Sequence, residues 1–276
     1  MARRAQAEHF AAAFVPPDDI TIENGQLGGV PVEWLTPAGV HPRRVFFHLH
    51  GGGYVLGNPA GSRPFTTEFA RQAQCSVVGI DYRLAPEHPF PRRCRRCVGR
   101  LSRSSGQRPQ AGGYRDRRRS AGGGLAVATL IAAKQAGLPM PASLAAISPW
   151  TDLRCTAGSF ESKASVDPLL TRRSLREMAD AYLATSDPHE PLASPLLGDL
   201  SGLPPMLIHV GSEEVLLDDA RGLAAAATAQ GVDATLEEWP DMIHVWHMFH
   251  PMLPQGAQAL GAMAAFVRST WDHAKD

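Results

Sequence analysis

Short apolar runs recur along the chain, separated by glycine, proline and stretches of helical spacing. Val30-Pro31-Val32-Glu33-Trp34-Leu35 alternates apolar and polar positions and predicts a half-exposed strand. Val45-Phe46-Phe47-His48-Leu49-His50, Ser76-Val77-Val78-Gly79-Ile80-Asp81, Leu144-Ala145-Ala146-Ile147-Ser148 and Met206-Leu207-Ile208-His209-Val210-Gly211 lack that alternation and predict buried strands. Ala234-Thr235-Leu236-Glu237-Glu238-Trp239 reads as the last strand. Ala121 to Lys134, rich in small residues, predicts a helix packed closely on a sheet. Ala220 to Gln230, stopped by Gly231, and Gln255 to Trp271 predict two more. Strands alternating with helices specify a mostly parallel central sheet with helices on both faces. Chemistry in such sheets gathers in the loops at the carboxyl ends of the strands. Residues 155–195 hold no strand run, but carry Asp167-Pro168 and a helical stretch from Ser174 to Ala184. They are expected to form an insertion over the sheet, a candidate cap or lid. With no repeat and no linker, 1–276 reads as a single α/β domain.

Composition adds one anomaly. The 276 residues carry 27 Lys and Arg against 27 Asp and Glu, with 44% apolar residues. That is ordinary for a globular enzyme and too apolar for a disordered chain. No apolar run approaches the roughly 18–20 residues that span a bilayer, and the start makes a poor signal peptide. A cytoplasmic protein without membrane attachment is expected. Four cysteines make no disulfide framework for this length. Yet Arg92 to Arg119 contains 11 arginines and one acid, Asp116, so the rest of the chain is acidic by about ten charges.

That stretch reads as a nucleic-acid arm only weakly, because interleaved aromatics are missing. Cys94-Arg95-Arg96-Cys97 likewise lacks the second Cys/His pair of a metal motif. A shifted reading frame accounts for it better. Tyr114-Arg115-Asp116-Arg117-Arg118-Arg119 can be encoded TAT CGT GAT CGT CGG CGA. Read one base later and completed with C, it gives Ile-Val-Ile-Val-Gly-Asp, a buried strand and tight turn directly before Ser120. Arg92 to Cys97 reframes to Ala-Ala-Ala-Asp-Asp-Ala, a helix start. An extra base near codon 92 and a lost base before codon 120 are therefore expected.

Four segments carry candidate chemistry. His50-Gly51-Gly52-Gly53-Tyr54 follows a strand, and its glycines can turn backbone N–H groups into a cavity to hold an oxyanion. A generic glycine turn is the plain alternative. Ser120-Ala121-Gly122-Gly123 stands between a reframed strand and a helix, the setting of a nucleophile elbow, although a helix N-cap serine fits equally. As written, Arg118 occupies the place where the elbow wants a small residue. Glu213 to Asp219 follows the strand ending at Gly211; the helix dipole explains Asp218 and Asp219 better than it explains Glu214, which can orient a histidine. His244 lies in the loop after the last strand, where a general base belongs, with His247 and His250 as rivals.

These segments, with Asp81-Tyr82-Arg83-Leu84-Ala85-Pro86-Glu87-His88-Pro89-Phe90-Pro91 and Ser148-Pro149-Trp150, resemble the hormone-sensitive-lipase-like branch of the α/β-hydrolases, in particular its small bacterial esterases. The resemblance implies the α/β-hydrolase fold, with 1–20 as the remnant of a shortened N-terminal helical cap. It implies a serine carboxylesterase acting on short-chain esters through an acyl-enzyme. Ser120 is then the nucleophile, His244 the base and Glu214 the acid, in a slot where the family usually has Asp followed by Pro. Gly51, Gly52, Gly53 and the N–H of Ala121 make the oxyanion hole, with Gly51 setting the turn. Asp81-Tyr82-Arg83 and Glu87-His88-Pro89 become scaffold. No cofactor, metal or nucleic acid is expected; the partner is a small ester, and relatives imply a homodimer through the edge of the last strand. Arg118-Arg119 in place of the family's Gly-Asp leaves open a catalytically dead or ligand-binding hydrolase fold. Lactone or activated-amide hydrolysis is open as well.

Overall fold

The computed structural model describes residues 14–41, 43–91 and 114–272, without the side chains of 114–119 and 272. The first part of the expected cap remnant, the reframed helix start at 92–97, Cys94 and Cys97 lie outside the described residues. The strands are β1 (Ile20–Leu27), β2 (Val30–Pro37), β3 (Val45–Leu49), β4 (Ser76–Ile80), β5 (Tyr114–Arg119), β6 (Leu144–Ile147), β7 (Met206–Gly211) and β8 (Ala234–Trp239). The helices are α1 (Arg63–Ala73), α2 (Ala121–Gln135), α3 (Ser159–Ser162), α4 (Arg172–Leu183), α5 (Leu217–Ala229) and α6 (Pro254–Asp272).

Among the described residues the strands form one eight-stranded sheet in the order β1-β2-β4-β3-β5-β6-β7-β8. The β1–β2 and β2–β4 pairs are antiparallel, and every pair from β4 onward is parallel. Consequently β3, β5, β6, β7 and β8 all end at one edge of the sheet, where the candidate segments follow them. This is the α/β-hydrolase architecture.

Strand alternation divides the core between two faces. Phe46, Val77, Ala145, Ile147 and Leu207 face α1 and α6, packing on Phe65, Phe69, Met263 and Val267. Leu144, Ala146, Met206, Ile208 and Val210 face the other way, against Val127, Leu130 and Leu223 of α2 and α5. Burial on both faces is why the parallel strands carry no polar alternation. β8 stands at the edge and is only partly buried, which lets it keep Glu237 and Glu238.

Two elements carry no clear apolar signal. β1 is largely exposed, and its Asn24-Gly25 imitates a turn. The real hairpin turn is Gly28-Gly29, with φ of 56° and 78°, the left-handed pair that a two-residue loop between twisted strands requires. Helix α1 buries Phe65, Thr66, Thr67, Phe69, Ala70 and Ala73, a face that mixes apolar residues with two threonines; it starts with a proline in its first turn and ends at Gln74 in the left-handed conformation. Helix α5 begins at Leu217, three residues before the expected Ala220, because Asp218 and Asp219 occupy its first turn.

Between β6 and β7 the chain leaves the sheet and forms α3 and α4. Helix α4 begins with a reciprocal capping box between Thr171 and Ser174. It docks through Tyr182, whose ring stacks on Tyr54 at 4.0 Å between centroids. No helix among the described residues is long and apolar enough to cross a membrane.

Candidate active site

Ser120 occupies the sharp turn between β5 and α2. Its φ of 54° and ψ of −126° are strained for a residue with a side chain, and such strain concentrates at functional sites. The turn is held by its own backbone: Ser120 N–H donates to the Ile147 carbonyl at 2.9 Å, and its carbonyl accepts from Trp150 N–H at 3.1 Å. The glycines that follow are required by close approach. A β-carbon on Gly122 would lie 2.3 Å from the Leu49 carbonyl oxygen, and one on Gly124 would lie 1.9 Å from that of Trp150. The start of α2 is thus pressed against the end of β3. Ser120 makes no side-chain hydrogen bond to the backbone of α2, so the N-cap alternative is not what this serine does.

The loop after β3 supplies backbone donors. Gly52, Gly53 and Tyr54 have φ of 121°, 60° and 65°. A β-carbon on Gly52 would meet the Leu56 carbonyl oxygen at 2.3 Å, so the turn at 52 admits only glycine. Among the described residues the amides of Gly52, Gly53 and Ala121 donate to no backbone carbonyl. His50 is buried and supports this loop from behind: its ring stacks on Tyr82 at 4.0 Å, and Tyr82 O–H donates to the His50 carbonyl at 2.7 Å. Of Asp81-Tyr82-Arg83, Tyr82 makes these contacts with the loop after β3.

Glu214 and His244 meet directly. His244 Nδ1 lies 2.6 Å from Glu214 Oε2, within a fully buried setting for the carboxylate. The other oxygen, Oε1, accepts from Gly211 N–H at 2.7 Å and from Ser148 Oγ–H at 2.8 Å. A buried charge needs such partners to be tolerated. The loop bearing His244 enters and leaves through left-handed residues, Asp241 (φ 61°) and Val245 (φ 51°). A β-carbon on Gly211 would strike the Met242 carbonyl oxygen at 2.1 Å, which lets the β7 and β8 loops touch.

The rival histidines serve elsewhere. His247 Nε2 lies 3.0 Å from His209 Nδ1, and His209 Nε2 lies 3.0 Å from Glu237 Oε2, so the two buried histidines lead out to a partly exposed carboxylate. His250 has its basicity lowered by burial. Asp218 caps α3 by accepting from Ser159 N–H at 2.7 Å. Asp219 accepts from the N–H groups of Thr151 and Asp152. Glu213 pairs with Lys163 at 3.2 Å. Of the acids after β7, Glu214 alone reaches His244 among the described residues.

Ser148 is a residue to which the sequence assigns no role, although Ser148-Pro149-Trp150 is one of its telling segments. Asp167 is another: its carboxylate accepts from Val215 N–H at 2.9 Å, tying the insertion to the residue after Glu214. Both are short polar residues beside proline, which reads as turn chemistry in a sequence. The thiol of Cys155 is pushed up to about 12, chiefly by burial, so it stays protonated at neutral pH. Among the described residues no group of three or more His, Cys, Asp or Glu is disposed to hold a metal ion.

The family model described as alpha/beta hydrolase fold matches residues 46–248. An acetyl-hydrolase of Streptomyces hygroscopicus is 44% identical over 266 residues, covering 96% of this chain and 87% of that protein. The crystal structure of an esterase from the bacterial hormone-sensitive lipase family superposes with a TM-score of 0.93 at 42% identity, covering 97% of this chain and 90% of that one. That of EstE5 soaked with p-nitrophenyl butyrate gives 0.91 at 43% identity, covering 97% and 91%. The chain therefore belongs to the α/β-hydrolase fold family, in the branch of carboxylic ester hydrolases that includes the bacterial hormone-sensitive-lipase esterases.

Proposed function

We propose that the chain hydrolyses short-chain carboxylic esters through an acyl-enzyme, with Ser120, His244 and Glu214 as the reacting triad. The observation that carries this reading is the 2.6 Å contact between His244 and the buried Glu214, at the sheet edge where Ser120 occupies its strained turn. Ser120 Oγ attacks the ester carbonyl while His244 Nε2 takes the hydroxyl proton. Glu214 accepts from Nδ1–H, which fixes the tautomer and steadies the imidazolium. The amides of Gly52, Gly53 and Ala121, with Gly51 setting the turn, receive the negative charge that develops on the carbonyl oxygen. Each such donor contributes about 10²–10³ in rate. His244 then returns the proton to the leaving alcohol. Water, deprotonated by the same imidazole, attacks the acyl-enzyme and releases the acid and free Ser120.

The test is turnover of p-nitrophenyl esters of increasing acyl length, in the chain as written and in Ser120→Ala. The expected result is highest kcat/KM on acetyl or butyrate esters, and loss of about 10³-fold or more in the variant. Ordinary turnover by Ser120→Ala removes Ser120 from the mechanism. A second reading, a hydrolase fold that binds without turning over, draws on the position of Arg118-Arg119 in β5 at the elbow. A fluorophosphonate probe separates the two: labelling at Ser120 means a live nucleophile, and no labelling means a binding protein.

A further inference from the structure

We propose that Ser148 is a positioning residue that locks the acid and the histidine loop together from the neighbouring strand. This inference rests on the triad reading above. Ser148 stands at the end of β6, fully buried, with φ of 47°. Its backbone N–H donates to the His209 carbonyl at 2.7 Å, which fixes it to β7. Its hydroxyl makes two further bonds. It donates to Glu214 Oε1 at 2.8 Å, and it accepts from Val245 N–H at 3.2 Å. Glu214 and Val245 belong to different loops, and Val245 directly follows His244. One hydroxyl therefore holds the carboxylate and the backbone of the imidazole's loop at once.

The chemistry suits a hydroxyl and little else. Oε2 of Glu214 is taken by His244, so Oε1 must be held by donors alone if the carboxylate is not to rotate. Gly211 N–H supplies one donor in the plane of β7; Ser148 supplies the second from β6. A hydroxyl can give its proton to a carboxylate and accept from an amide simultaneously, which neither an alanine nor a lysine can do. The same segment continues to the serine: Ile147, the residue before Ser148, accepts from Ser120 N–H at 2.9 Å. Residues 147 and 148 thus tie all three proposed catalytic positions to the end of one buried strand. The left-handed φ of 47° accompanies a side chain whose hydroxyl reaches both loops.

The experiment compares Ser148→Ala, Ser148→Gly and Ser148→Cys with the parent chain and with Ser120→Ala. Glycine removes both the hydroxyl and the strain at φ 47°, so it remains foldable if alanine does not. The expected result is a fall in kcat of about 10-fold or more, within the 10²-fold that misplacing a catalytic group by about 1 Å costs. KM should stay within about twofold. The low-field proton resonance of the His244–Glu214 hydrogen bond should broaden or move in the alanine and glycine variants. Cysteine, a weaker donor of similar size, should recover part of kcat. Wild-type kcat in both Ser148→Ala and Ser148→Gly, with Ser120→Ala inactive, overturns the role of Ser148 and leaves the triad standing. Equal losses in all three variants that follow their loss of melting temperature, with the resonance unmoved, also overturn it, by making Ser148 a packing residue. Turnover by Ser120→Ala instead brings down the triad itself, and the inference with it.

Discussion

Gly122 lies so close to Leu49 that a β-carbon would sit 2.3 Å from the Leu49 carbonyl oxygen and 2.7 Å from that of His50. Both obstacles are backbone atoms, one at the end of β3 and one in the residue after it, so they cannot swing aside as a side chain would. The contact couples the elbow helix to the loop carrying the proposed oxyanion donors. Gly122→Ala is expected to push α2 away from β3, at about 1–3 kcal/mol of stability. It should also move Ala121 N–H relative to Gly52 and Gly53. Thermal melting and fluorophosphonate labelling check this. An alanine variant with unchanged melting temperature and labelling rate contradicts it.

Asp219 has its carboxyl raised to about 7 by burial, against an ordinary value of 3.8. Its Oδ2 accepts from Thr151 and Asp152 N–H, while Oδ1 has no partner among the described residues. A folded-state value above the unfolded one means that folding favours the protonated acid. Its contribution is therefore fully present below about pH 4 and declines as pH rises towards 7. The integrated effect is on the order of 4 kcal/mol. Asp219→Asn keeps an acceptor for both amides and cannot ionise, so its stability relative to the parent should rise between pH 4 and 7 and level off above. Asp219→Ala strands the two amides and should cost about 1–3 kcal/mol. Denaturant unfolding across that pH range decides; parallel curves for parent and asparagine variant would show the acid ionised throughout.

Asp167 joins the insertion to the acid loop. Its Oδ1 accepts from Leu169 and Leu170 N–H, at 2.8 and 2.9 Å, and Oδ2 from Val215 N–H at 2.9 Å. Ser159 adds a second tie, donating to the Val215 carbonyl at 2.6 Å. Asp167→Ala leaves three donors without their acceptor, of which Val215 N–H is buried. A loss of about 1–3 kcal/mol is expected. Because Val215 follows Glu214, kcat should fall as well. If the variant melts lower yet turns over at the parent rate, the insertion steadies the fold without steadying the acid.

The parts of this site legible in the sequence are those whose chemistry or backbone geometry leaves a local mark. His50-Gly51-Gly52-Gly53 advertises a turn only glycine can make, and a histidine in a loop after a strand advertises a base. Glu214 could be told from Asp218 and Asp219 because a helix start explains the latter two and not the former. Ser148 and Asp167 were not legible, since their partners lie 66 and 48 residues away and nothing near them marks the contact. Likewise β1 carries no mark because an exposed edge strand needs no apolar pattern, and α1 little because threonines share its buried face.

β5 runs in the middle of the sheet, and its register sets Arg115 beside Phe46, Asp116 beside Phe47, Arg117 beside Ala145 and Arg118 beside Ala146. All four neighbours are buried. A parallel strand in this position is normally apolar on both faces. The reframed Ile-Val-Ile-Val-Gly-Asp fits the same register: four β-formers at 114–117 beside Val45, Phe46, Phe47 and His48, then glycine two places before Ser120, where the elbow wants a small residue. A protein made with 92–119 in the alternative frame should therefore be soluble, melt cooperatively and hydrolyse p-nitrophenyl butyrate. It should melt at a higher temperature than the chain as written. Peptide masses across 92–119 from the native source should match the alternative frame. Native-source peptides that carry Arg115, Arg117, Arg118 and Arg119 would show that β5 is built with four arginines, and would end the frame-shift explanation.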